Sequence, residues 1–366
     1  MLARALLGAA VLLCGSSGCS SRSLLSPRAI FDRRSFAFDV ATTPGGDVVC
    51  ALLEGGRYRL ARFARGGARR ATIDIAAAEA WVYDVAVSAD GKRAALAARQ
   101  LGGINERPRS KLVASGLVVR VDLERRRVLA RHRLARPARA VRFAPDGALL
   151  VGLEAGPGER GLLCRISARG EQRCVSAHDA TVSALATTST QLISGSWDRT
   201  VRLWRFDLTP APQRARLTTG GIVNALDARD DLLAIATSDQ PPRRSQALVD
   251  AEKRGDHRRG PLRGAVELWQ LGSRTRRYRT PLHHVAASAV ALLDTRDAPR
   301  TLPLVASGGW DFRVVVSRGA RVLGRLEGLS QIVTGLAAAT PHGLALAAWS
   351  ESGSKTPSCA LLRVTP

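Results

Sequence analysis

The stretch SGSWDRTV at residues 194–201 returns as SGGWDFRV at 307–314, each time after a short apolar run. Self-similarity constrains a chain more than local propensity does, because each unit must bury its apolar face against a copy of itself. Seven segments share an apolar lead-in followed by a turn of small residues or of Asp and Gly. They are FDVATTPGG (38–46), YDVAVSADG (83–91), RAVRFAPDG (139–147), VSALATTSTQ (182–191), VNALDARDD (223–231), VALLDTRDA (290–298) and VTGLAAATPHG (333–343). With Val40, Val85, Val141, Leu185, Leu226, Leu293 and Leu336 as equivalent anchors, the spacings are 45, 56, 44, 41, 67 and 43 residues. This is an array with a period in the low forties and two insertions.

Each unit reads as four short strands. In the fourth they are TVSALAT, QLISGS, TVRLWRF and RARLTT, divided by turn residues. Alternation and β-branched content favour strand over helix, and four strands at this period make a propeller blade. The expected fold is all-β, a seven-bladed β-propeller with four antiparallel strands per blade. The last unit supplies only VTGLAAA, GLALAAWS and CALLRVT before Pro366. An open outer edge is an aggregation hazard, so residues 28–34 are expected to close the ring as its missing strand.

The fourth unit resembles a WD40 repeat, with a histidine before the first strand and SGSWDRTVRLW across the second and third. The resemblance places His178, Ser194, Asp198 and Trp204 on that family's structural tetrad. The fifth unit keeps ATSD (236–239) and VELW (266–269). The sixth keeps Ser307 and Asp311, with Ser317 where tryptophan would stand and either His283 or His284 to serve it. Elsewhere only the strand pattern remains.

Ser, His and Asp are also the ingredients of a hydrolase. A catalytic serine, however, needs exposure beside oxyanion donors, typically at a GxSxG elbow, and the sequence contains none. Nor does it contain HExxH, an EF-hand loop, a Walker loop or a dinucleotide fingerprint. His283 and His284 are adjacent, so on a strand they point to opposite faces and do not share one metal easily. The tetrad therefore reads as architecture. No catalytic residue, metal or cofactor is expected.

The N-terminus MLARALLGAAVLLCGSSGCSS has a basic start, an apolar run at 5–15 and small residues before Cys19. This is the outline of a secretory signal peptide, and its ending resembles a bacterial lipobox in which Cys19 is acylated. The run is too short to span a bilayer. Residues 1–18 are expected to be the signal peptide, 19–28 the lipidated terminus and linker, and 29–366 the propeller. Ser20 resembles the outer-membrane sorting pattern, which places the protein in the cell envelope, facing the periplasm or the surface. Export makes bridges among Cys50, Cys164, Cys174 and Cys359 plausible chemistry. Cys164 and Cys174 flank a turn at 168–170, and a three-residue loop sets them opposite each other across a hairpin, within bridging range. The state of Cys50 and Cys359 is left open.

The net charge is +24, and only four of the 55 cationic residues are lysine. Such a surface is either simply solvated or drawn to an anionic partner such as lipid headgroups, a polysaccharide or an acidic protein; nucleic acid is not expected after export. The two expanded spacings fall between second and third strands, at 102–111 and 240–263, with a lesser one at 350–358. These connections emerge on one face. They carry Arg107, Arg109, Arg243, Arg244, Lys253, Arg254, Arg258 and Arg259 as candidate binding residues. The function expected is a non-catalytic, envelope-anchored interaction scaffold, a monomeric ring for a protein or anionic surface partner. The alternative is an exported propeller enzyme of hydrolase or lactonase type with an axial site.

Overall fold

Strands whose successive side chains are small or branched and apolar on both faces must be covered on both faces. The second strand of the first repeat shows the consequence. Val49 and Ala51 pack toward the following repeat, while Val48, Cys50 and Leu52 pack toward the last one. The computed structural model describes residues 25–32, 36–76, 80–100, 115–211, 216–239, 262–294, 302–327, 329, 332–340, 343–348 and 359–364. Among them are seven separate four-stranded antiparallel sheets. Blades 1 to 7 span 36–76, 80–134, 138–178, 182–218, 222–283, 287–326 and 333–364, the last completed by Leu25–Asp32. Seven apolar clusters among the described residues fill the junctions between neighbouring blades, including the one between blades 7 and 1. The molecule is thus a closed seven-bladed β-propeller.

Close blade packing explains why certain glycines recur. A Cβ at Gly195 would overlap Val223 of the next blade, and one at Gly308 would overlap Val333 in the equivalent place. Both glycines let the first strand of one blade lie against the second strand of its neighbour.

Every innermost strand carries a one-residue irregularity near its start, at Phe38, Tyr83, Arg139, Ser183, Asn224, Ser288 and Thr334. Counted from that bulge, the anchor of blade 6 is Val290, which faces Ser307 as Leu185 faces Ser194. The expectation of Leu293 is therefore corrected by three residues, and the spacings around it become 64 and 46. LDTRD at 293–297 mimics LDARD at 226–230, but the innermost strand of blade 6 enters earlier relative to its Asp-rich end.

The closing strand is Leu25–Asp32, antiparallel to Cys359–Val364. It begins three residues before the expected 28–34, inside the stretch assigned to the linker. Its extent follows the partner strand, from Leu25 opposite Val364 to Asp32 opposite Cys359. Ser26 and Pro27 look like linker by composition, yet proline is tolerated on an outermost strand, where one side of the backbone needs no partner.

Two disulfides join described residues. Cys164 and Cys174 are directly opposite in the outer hairpin of blade 3, with Cα atoms 4.0 Å apart. Ser167 and Glu171 close the intervening three-residue turn, and Gly170 takes φ +93° there. Cys50 of blade 1 and Cys359 of blade 7 form the second bridge, which crosses the seam of the ring.

Candidate functional site

In blade 4 the turn between the second and third strands brings Asp198 beneath the end of the preceding blade, where His178 closes the outermost strand. His178 Nδ1 lies 2.9 Å from Asp198 Oδ2, and its Nε2 lies 2.7 Å from Ser194 Oγ. Trp204 Nε1 donates to Ser194 Oγ at 2.8 Å, and Thr200 Oγ1 donates to Asp198 Oδ1 at 2.6 Å. One tautomer, with the proton on Nδ1, satisfies the whole chain: Trp204 donates to Ser194, Ser194 to His178 and His178 to Asp198. Burial pushes the His178 imidazole pKa down, although Asp198 pulls the other way. Burial also works to raise the Asp198 carboxyl, but the hydrogen bonds from His178, Thr200 and the Asp179 N–H hold it well below the usual range. Ser194 is 0% exposed; its oxygen is already engaged and faces no solvent.

Removing the imidazole leaves the buried Ser194 hydroxyl without its acceptor and takes a donor from Asp198, each costing roughly 1–3 kcal/mol, and it opens a cavity where the ring stood. His178→Ala is expected to lose about 3 kcal/mol or more in urea denaturation. A loss below about 1 kcal/mol, the net worth of one hydrogen bond, would contradict this account of the network.

Blade 6 repeats the arrangement with His283, not His284. His283 Nδ1 is 2.9 Å from Asp311 Oδ1 and its Nε2 is 2.9 Å from Ser307 Oγ, while His284 contributes its backbone N–H to Asp311. Ser317, in the place of tryptophan, is buried with its hydroxyl unpartnered. Blade 5 uses a different solution, which sequence reading did not anticipate. The buried Glu267 carboxylate accepts from Trp269 Nε1 at 2.9 Å and from the Gly220 N–H at 2.6 Å. The signal was the pair RLW (202–204) and ELW (267–269), an arginine exchanged for glutamate two residues before the tryptophan.

The innermost strands surround an axial cavity of about 340 Å³. Side chains at its wall tie successive blades together. Asp39 accepts the Val85 N–H and Asp84 accepts the Val141 N–H, each at 2.7 Å. The bulge residues do the same elsewhere: Ser183 donates to Val223 O, Asn224 to Ala287 O, Ser288 to Val333 O and Thr334 to Ala37 O. Burial, and then the facing charge of Asp84, pushes the Asp39 carboxyl well above its ordinary value. Asp227, which holds the Leu292 N–H, is raised by burial too. Between blades 3 and 4 the link is a cation. The Arg139 guanidinium stands 4.1 Å from the Tyr83 ring centroid and 4.9 Å from that of Trp197, spanning blades 2 to 4. The echo FDVA and YDVA at 38–41 and 83–86 was the visible trace of the carboxylate pair.

The three insertions join the second and third strands of blades 2, 5 and 7, leaving between Gln100 and Ser115, Ser238 and Gly264, and Ala348 and Cys359. In antiparallel blades of one handed ring this end is shared, and it is the end that bears Trp197 and Asp198. Arg107, Arg109, Arg243, Arg244, Lys253, Arg254, Arg258 and Arg259 lie outside the described residues, as does Cys19. Among the described residues no cluster of three or more His, Cys, Asp or Glu side chains is disposed to hold a metal ion, and no helix is long and apolar enough to cross a membrane.

The class this defines is a seven-bladed β-propeller whose fourth blade carries a WD-like hydrogen-bonded network. Residues 170–205 match the WD40 family model, described as "WD domain, G-beta repeat", which covers the tetrad of blade 4. The chain is similar in fold to a solved structure described as "Structure of U3-55K", with a TM-score of 0.64 at 15% identity, covering 91% of this chain and 98% of that one. No curated protein matches the chain by sequence.

Proposed function

We propose that this propeller is an exported, non-catalytic interaction scaffold, tethered to the cell envelope through a lipid on Cys19, that receives a protein or anionic surface partner on its insertion face. The observation that carries the reading is the convergence of all three insertions on one end of a rigid ring; insertions scattered by drift would fall on both ends. Long connections on a stable scaffold are where recognition concentrates. The segment 240–263 brings seven cations against Asp250, Glu252 and Asp256. The Tyr83–Arg139–Trp197 stack stands at the same end. Two disulfides support an oxidising compartment.

The test is crosslinking capture from envelope fractions with the full chain, a chain lacking residues 242–262, and Cys19→Ser. The excised chain is expected to melt like the parent yet capture nothing, and Cys19→Ser to leave the membrane pellet. Capture should weaken with salt, since exposed charges are screened over about 8–10 Å at physiological ionic strength. Undiminished capture after excision would move the site to the opposite face.

The second reading, an exported enzyme with an axial site, is favoured by one observation, the raised Asp39 and Asp227 carboxyls at the cavity wall. Both, however, already accept backbone N–H groups of the next blade.

A further inference from the structure

Five charged side chains among the described residues are buried: Asp39, Asp47, Arg120, Glu267 and Asp311. Four are carboxylates, and each has donors. Asp39 accepts from Val85, Asp47 from Arg62 at 2.8 Å, Glu267 from Trp269 and Gly220, and Asp311 from His283. The fifth is different. Arg120, in the third strand of blade 2 (Ser115–Asp122), is 6% exposed, and its one hydrogen bond runs from Nη2 to Ser167 O at 3.5 Å. Its Nε has no partner, and no ion pair forms between it and a described carboxylate. Arginine does not escape this by losing its proton. A buried, uncompensated charge costs several kcal/mol.

The surroundings add positive charge. Arg93 opens the adjacent second strand, and its charge acts unfavourably on Arg120. His132, on the outermost strand, has a buried and unpartnered Nε2 and in turn feels the charge of Arg120. The facing wall is blade 3, at its two glycine turns. A Cβ at Gly147 would stand 3.4 Å from Arg93 Nη1, and one at Gly170 would stand 3.5 Å from His132 Cε1. The nearby acids are engaged elsewhere. Asp90 accepts from Ser88 and Lys92, Asp122 from Glu124 and Arg125, Glu171 meets the Ser167 hydroxyl, and Asp146 pairs with Arg165.

We infer that the junction between blades 2 and 3, at the end of the ring opposite the insertions, binds a small oxyanion of the phosphate or sulfate class. Arg120 is its central ligand, with Arg93 and His132 at its sides. The planar guanidinium presents a fork of donors that suits such an anion. The anion would satisfy the orphaned Nε and neutralise the one cation buried among the described residues.

Thermal midpoints of the full chain in chloride, sulfate and phosphate at equal ionic strength test this, comparing the parent with Arg120→Met and with Arg127→Met, an exposed arginine on the same blade. Sulfate and phosphate strengthen burial in any protein by exclusion from its surface, so the difference between variants is the readout. Parent and Arg127→Met are expected to gain the larger increment in sulfate and phosphate, and Arg120→Met to lose most of it. Equal increments in all three would overturn the inference. Should Arg120→Met not fold, equilibrium dialysis of the parent against labelled inorganic phosphate decides. Saturable binding of a single ion per chain, displaced by sulfate and not by chloride, is expected; no saturable binding would overturn the site.

Discussion

Deletion of residues 20–35 is expected to lower the thermal midpoint by about 7 °C, because it removes the strand that completes blade 7. Six residue pairs link Leu25–Asp32 to Cys359–Val364. At roughly 1 kcal/mol net per hydrogen bond, the lost pairing amounts to about 5 kcal/mol. With an unfolding entropy of about 2.1 cal/mol/K per residue, a chain of this length shifts by about 1.5 °C per kcal/mol. The deletion also bares the edge of Cys359–Val364, so the shortened chain is expected to aggregate on heating. An unchanged midpoint by scanning calorimetry would show that the strand contributes nothing to closure.

The second large effect belongs to the disulfide at the seam. Cys50 and Cys359 are separated by 309 residues, and Cys164 and Cys174 by 10. If cross-links act by restricting the unfolded chain, the seam bridge contributes about 5 kcal/mol and the hairpin bridge about 3 kcal/mol. The double variant Cys50→Ala/Cys359→Ala should therefore unfold at markedly lower urea than Cys164→Ala/Cys174→Ala. A reversed order would mean that local restraint in blade 3, rather than closure, dominates.

These two bridges also divide what could be read in the sequence from what could not. Cys164 and Cys174 sit ten residues apart around a turn, so hairpin geometry alone brought them together. Cys50 and Cys359 become neighbours only once blade 7 is laid against blade 1, and no local pattern carries that information. The repeat itself was legible because each blade must present the same alternation to the same neighbour. The anchor of blade 6 slipped because LDTRD resembles LDARD while the backbone bulge at Ser288, which sets the true register, leaves no sharp mark in the sequence. In the same way SGSWDRTVRLW disclosed the tetrad of blade 4, whereas Glu267 was hidden: its role depends on the Gly220 N–H, 47 residues away. Arg120 looked like one more arginine in an arginine-rich chain until burial set it apart.

The seam has a temporal meaning as well. Leu25–Asp32 is made before the first blade and Cys359–Val364 after six blades have followed it, so its pairing spans the whole ring. Six blades have all their strands in chain order and can assemble as synthesis or translocation proceeds, each on the one before it. The seventh cannot. Until Cys359–Val364 arrives, Leu25–Asp32 lacks its partner strand and Cys50 its partner sulfur, so the ring remains an open arc. Closure thus reports that everything from Leu25 to Val364 has been delivered, and loss of Cys359–Val364 withholds that report as fully as the loss of an entire blade.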